Sequence, residues 1–172
     1  MGKKKSIIIN GGYQIDSLTA LSNLEYIMGY LVLIDSHSLG NLNGLHNLQS
    51  IHGKELYSNN FSVVIRHNFD ILHSWGLCYA DLVNWTLVTD YNTWIYDNGF
   101  ICPGCHVECD GCWGPGPQLC QLCQNYLSGI TCVNSCWQGS ETNLNMTCTE
   151  KLPDPPILTY DALSNHIHIY AD

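Results

Sequence analysis

Leu18-Thr-Ala-Leu21-Ser-Asn23-Leu24-Glu-Tyr-Ile27-Met-Gly29 and Leu42-Asn-Gly-Leu45-His-Asn47-Leu48-Gln-Ser-Ile51-His-Gly53 are one unit written twice, 24 residues apart. Leucine, asparagine, isoleucine and glycine coincide at six positions, which marks a structural repeat. Within each copy the apolar positions fall three apart over ten residues. Three residues of an α-helix turn through about 300°, so such a series sweeps across about 180° and makes no single stripe. A short 3₁₀ turn leading into a strand fits better, with Asn-Leu-x-x-Ile-x-Gly as a corner where glycine permits a close backbone approach or a positive φ. Strand-like runs follow each corner, Tyr30-Leu-Val-Leu-Ile34 and Phe61-Ser-Val-Val-Ile65. Turn, corner and strand every 24 residues predict a mainly β solenoid whose coils pair strand to strand. A leucine-rich horseshoe has a similar period, but it places leucines two residues apart before its asparagine.

Charge narrows the function. The chain has 172 residues, 15 acidic against 6 basic, and a formal net charge of −9. Three of the basic residues are Lys3, Lys4 and Lys5, so the remainder is more acidic still. Such a surface repels phosphate backbones, which argues against nucleic-acid binding. The longest apolar stretch, Tyr26 to Ile34, is bounded by Glu25 and Asp35. It falls far short of the roughly 20 residues that cross a bilayer. Ile7 to Ile9 is too short for the core of a signal peptide. Met1-Gly2-Lys3-Lys4-Lys5-Ser6 fits an N-myristoylation pattern, yet a cytosolic anchor conflicts with the cysteine content described next. Residues 1–14 are therefore read as a segment that is not the native start. Gly-x-Ser-x-Gly, His-Glu-x-x-His, phosphate-loop and kinase signatures are all missing from the sequence, so no catalytic role is expected.

Nine of the ten cysteines lie between Cys102 and Cys148, and Cys78 stands apart. This divides the chain near residue 100. The second part holds few large aliphatic side chains and needs covalent staples or metal. Cys102-Pro-Gly-Cys105, Cys109-Asp-Gly-Cys112 and Cys120-Gln-Leu-Cys123, with His106 nearby, have zinc-knuckle spacing. The sequons at Asn60, Asn84 and Asn145 favour the opposite reading, an oxidised, secreted protein with neither metal nor cofactor.

The two leucine units, the segment Leu77-Cys78-Tyr79-Ala80-x-x-x-Asn84-Trp85 and the run Cys109-x-x-Cys112-Trp113-Gly114-Pro115-Gly116-Pro117-x-x-Cys120-x-x-Cys123 resemble the ectodomain of the epidermal growth factor receptor family. The similar region is the second receptor L domain and the start of the second furin-like cysteine-rich domain, covering about residues 15 to 148. The resemblance implies a right-handed β-solenoid over 15–101, incomplete by its first coil and by about one coil after Asn68. A disulfide-rich furin-like module follows at 102–148. Residues 149–172 match nothing in the family and are read as a solvated tail, with His166 and His168 too few for a metal site.

Carried over residue by residue, the family's bridges become Cys78 to Cys102, Cys105 to Cys112, Cys109 to Cys120, Cys123 to Cys132 and Cys136 to Cys148. Spacing alone leaves hundreds of pairings open. Trp113 becomes a plug between the two parts. Ile34, Ser58 and Phe61 fall at ligand-contact positions, with core packing the competing reading for Ile34 and Phe61, since a one-residue slip exchanges strand faces. A glycan on Asn60 is expected opposite Phe61 if the strand is regular. The implied function is non-catalytic and extracellular: one half of a clamp for a small disulfide-bonded growth factor, bound weakly by this chain. The parent would be a membrane-anchored, dimerising receptor tyrosine kinase. A secreted structural or decoy protein that keeps the fold without the ligand is the alternative. Mass spectrometry before and after reduction separates oxidised cysteines from zinc. Reduction should add one hydrogen per cysteine, all ten, with no metal released.

Overall fold

In the computed structural model the described residues are 2–68, 77–99, 103–151, 157–161 and 166–170. The first part is built from β1 (Gly2–Lys4), β2 (Ile7–Gly12), β3 (Leu24–Ile27), β4 (Leu31–Ser36), β5 (Ser50–Ile51), β6 (Phe61–Arg66) and β7 (Asn92–Tyr96). They form two parallel sheets. The longer has the order β2-β4-β6-β7 and the shorter β1-β3-β5. Each leucine unit opens with a 3₁₀ turn, Thr19–Leu21 or Asn43–Leu45, and continues into a strand of the short sheet. Leu31, Leu33, Val63 and Ile65 point inward from the long sheet onto Ile27, Ile51, Leu18, Leu42 and Leu45. Each such side chain contributes roughly 1.5 to 3 kcal/mol on leaving water.

The solenoid extends further toward the N-terminus than the leucine pattern indicates. Ile7, Ile8, Ile9 and Asn10 pair with Leu31, Val32, Leu33 and Ile34, again at an offset of 24. The leucine and asparagine signature has vanished there, but the alternation of apolar residues persists, and Ile7 and Ile9 pack against the core. Between β4 and β6 the offset lengthens, Leu31 pairing with Val63, because residues 54–60 form an extra loop.

Both uses of a corner glycine occur. A Cβ on Gly29 would collide with the Lys5 carbonyl and the Ser6 side chain of the preceding coil. Gly53 has φ +59 and lies against the Tyr91 ring. Any side chain at either corner would push adjacent coils apart.

Two buried asparagines close the opposite corner. Asn68 Nδ2 donates to the Leu33 carbonyl at 3.0 Å and to Asn98 Oδ1 at 2.9 Å, while its Oδ1 accepts the Ser36 amide at 2.9 Å. Asn98 Nδ2 donates to the Ile65 carbonyl at 2.9 Å. Backbone groups left over where the chain turns out of each strand are thereby paired across three coils.

The cysteine-rich part consists of small antiparallel pairs: β8 (Cys109–Cys112) with β9 (Cys120–Cys123), β10 (Tyr126–Ser128) with β11 (Thr131–Val133), and β12 (Ser140–Thr142) with β13 (Cys148–Glu150). Disulfides join Cys105 to Cys112, Cys109 to Cys120, Cys123 to Cys132 and Cys136 to Cys148. Cys78 is disulfide-bonded as well. Its expected partner, Cys102, lies outside the described residues. A hairpin of β14 (Ile157–Asp161) and β15 (His166–Tyr170) stands where the sequence suggests a tail, since His166-Ile-His-Ile-Tyr170 alternates as a strand does.

Trp113 is 2% exposed and belongs to the solenoid's core, where it meets Trp85 edge to face at 5.6 Å. Its carbonyl accepts the Leu42 amide at 2.8 Å. Trp85 in turn donates from Nε1 to the Ala80 carbonyl at 2.9 Å. Gln121 clips Asn84 by accepting its amide at 2.7 Å and donating to its carbonyl at 3.0 Å. Tyr79 packs on Cys109 and Cys112 beside these contacts.

Replacing Trp113 by Ala should destabilise the protein by about 3 to 5 kcal/mol, measured by denaturant unfolding of the oxidised chain. Asn68→Ala strands the Ser36 amide, the Leu33 carbonyl and Asn98, and should cost about 2 to 4 kcal/mol in the same assay.

Candidate functional site

On the long sheet, residues facing away from the core form rows across the strands. One row runs Ile8, Val32, Val64, Trp94, and the next Asn10, Ile34, Arg66, Tyr96. Phe61 joins this outer face through a shift in register between β6 and β7: Phe61 pairs with Asn92, but Val63 pairs with Thr93. One extra residue on β6 reverses the facing of its first positions. Phe61 thus stacks on Trp94, with centroids 5.2 Å apart and planes 26° apart. Ser62 turns inside, is fully buried, and accepts from Thr89 Oγ1 at 2.9 Å.

The face is aromatic and cationic. Arg66 lies over the Trp94 ring, 4.9 Å from its centroid, and donates from Nη1 to the Tyr96 hydroxyl at 2.9 Å. That bond favours the charged guanidinium and raises its already high pKa. Trp94 and Tyr96 are themselves 5.6 Å apart. At the C-terminal ends of the strands Asp35, His67 and Asp97 all adopt left-handed backbone, with φ of 52°, 56° and 53°. His67 Nδ1 lies 4.0 Å from Asp35 and Nε2 lies 3.7 Å from Asp97, so the ring spans two carboxylates and meets Tyr96 edge on. Among the described residues no group of three or more side chains is arranged to hold a metal ion.

Of the three expected contact residues, Ile34 and Phe61 lie on this outer face, half-buried, and neither belongs to the interior cluster. Ser58 is exposed in the turn before β6, with φ 50°. Trp94, Arg66 and Tyr96 went unnoticed in the sequence, although Asn92-Thr-Trp94-Ile-Tyr96 carries the period-two alternation of a half-exposed strand.

The receptor L domain family model matches residues 4–103. The chain belongs to the receptor L domain family. It is 27% identical to an epidermal growth factor receptor of Apis mellifera over 70% of its length, and 31% identical to a melanoma receptor tyrosine-protein kinase of Xiphophorus maculatus, also over 70%. An epidermal growth factor receptor of Drosophila melanogaster is 29% identical over 67%. The chain spans 12%, 12% and 10% of these three relatives. The resemblance to this receptor family read from the leucine units and the cysteine run therefore stands. No described helix is long and apolar enough to cross a membrane.

Trp94→Ala removes the ring on which Phe61 and Arg66 rest, but Trp94 is 37% exposed. The change should cost only about 1 to 2 kcal/mol in denaturant unfolding, well below the Trp113 substitution.

Proposed function

We propose that this L domain is a non-catalytic, extracellular ligand-binding region of a receptor of the epidermal growth factor receptor type. The solenoid is right-handed and ends near residue 101, and a furin-like module follows at 102–148. The outer face of the long sheet forms one half of a clamp for a small disulfide-bonded growth factor. Ile34, Ser58 and Phe61 make contact with it. The observation that carries this reading is the aromatic and cationic face itself: Phe61, Trp94 and Tyr96 flank Arg66 on the side of the sheet turned away from the core. Rigid aromatics and arginine are the residues that supply most binding energy at protein interfaces. A parent that spans the membrane, dimerises and signals through a tyrosine kinase belongs to the same proposal.

Two observations favour a second reading, a secreted structural or decoy protein that does not bind ligand. The Phe61 ring is already stacked on Trp94, and β6 pairs directly with β7 where the resemblance implies a further coil between them.

Binding of growth factors of the epidermal type to the full oxidised chain, measured on a sensor surface, decides between the two. Half a clamp lacks the second set of contacts, so saturable binding of about micromolar strength or weaker is expected. Phe61→Ala should weaken it about tenfold, equivalent to about 1.4 kcal/mol. No binding by a correctly folded chain leaves the structural reading.

A further inference from the structure

The sequon Asn60-Phe61-Ser62 overlaps the proposed ligand face. A regular strand would send Asn60 to the side opposite Phe61. Here β6 begins at Phe61, and Asn60 is instead the last residue of a tight turn. Ser58 and Asn59 both have positive φ, 50° and 59°, and Tyr57 and Phe61 exchange backbone hydrogen bonds at 2.8 and 3.1 Å. Alternation therefore does not reach Asn60.

The direction of its side chain is set by Asn92, whose Nδ2 donates to Asn60 Oδ1 at 2.9 Å. Asn92 pairs directly with Phe61. Positions 92, 94 and 96 of β7 alternate with Ile95, which packs on the core, so Asn92 shares the outer face with Trp94. Asn60 is thus tied to the rim of the aromatic strip, one strand pairing away from Phe61. It is exposed, and among the described residues its Nδ2 makes no hydrogen bond.

We infer that Asn60 carries an N-linked glycan rooted on the binding face, and that occupancy of this one site screens Phe61 and Trp94 from a protein ligand. A lipid-linked oligosaccharide diphosphate supplies the sugar. The Nδ2–C1 bond forms, the bond from C1 to the diphosphate oxygen breaks, one Nδ2 hydrogen leaves as a proton, and the lipid diphosphate departs. The Ser62 hydroxyl that the acceptor signal requires is fully buried once β6 has paired. Transfer precedes folding, and the glycosylated and bare forms then persist as separate populations. The other two sequons lie elsewhere. Asn84 is clipped to Gln121, and Asn145 lies in the cysteine-rich part between β12 and β13.

The screening role rests on the ligand reading of the face, whereas the shielding of Trp94 can be measured without any ligand. The full chain, secreted from glycosylating animal cells, is mapped for occupancy at Asn60 and footprinted with hydroxyl radicals. Wild type, Asn60→Gln and wild type deglycosylated in the folded state are compared, the last guarding against a folding defect in the variant. The expected result is an occupied Asn60 and Trp94 oxidation several-fold faster in both glycan-free samples. Trp137, exposed in the cysteine-rich part, should not change. Growth-factor binding should strengthen several-fold in the same two samples. An unmodified Asn60, or a Trp94 rate unaffected by the glycan, overturns the inference. Shielding of Trp94 without growth-factor binding in any sample upholds the placement of the glycan and overturns the ligand reading instead.

Discussion

A stack of parallel coils satisfies itself in the middle and nowhere else, because its last coil presents an apolar edge to water. In this protein the indole of Trp113, carried by the cysteine-rich region, is buried in the solenoid's apolar cluster and meets Trp85. The arrangement gives the two parts a shared core. The solenoid gains the contacts of a buried indole, and the cysteine-rich strands, too poor in aliphatic residues to form a core, borrow one. The Gln121 clip on Asn84 and the Leu42 hydrogen bond to Trp113 fix the angle at which the indole enters.

Much of the coil could be read directly from residue order. Spacing by three excluded a helical stripe, and the repeated Asn-Leu-x-x-Ile-x-Gly predicted a turn, a corner and a strand, which the 3₁₀ segments, β3, β5 and the tight glycine corners match. The coil from residues 2 to 12 was hidden because Ile7 and Ile9 keep only the buried alternation, while the corner residues that made the repeat visible are gone. Pairing by offset, which parallel stacking imposes, survives loss of identity. The buried hydrogen bonding of Asn68 and Asn98 was equally invisible, since nothing distinguishes a buried asparagine in sequence from the many that sit in loops.

The aromatic face of the long sheet was only partly legible, for a geometric reason. Residue type indicates that Phe61 and Ile34 lie on strands, but which side a strand residue faces depends on register. At Phe61 the register is broken by one extra residue, and alternation counted from Val63 would have placed the ring in the core. Trp94, Arg66 and Tyr96 come from strands 31 residues or fewer apart in sequence but adjacent in space, so their cluster exists only after β6 and β7 pair. Cysteine pairing was beyond spacing altogether and entered only through family resemblance.

Synthesis of a chain is vectorial, and Trp113 comes after every solenoid strand whose side chains it packs among. While the ribosome is still adding the segment up to Trp113, β2, β4, β6 and β7 can pair, yet the indole that completes their core is still missing. Each nascent molecule therefore passes through an interval in which the apolar side chains that will surround Trp113 are uncovered.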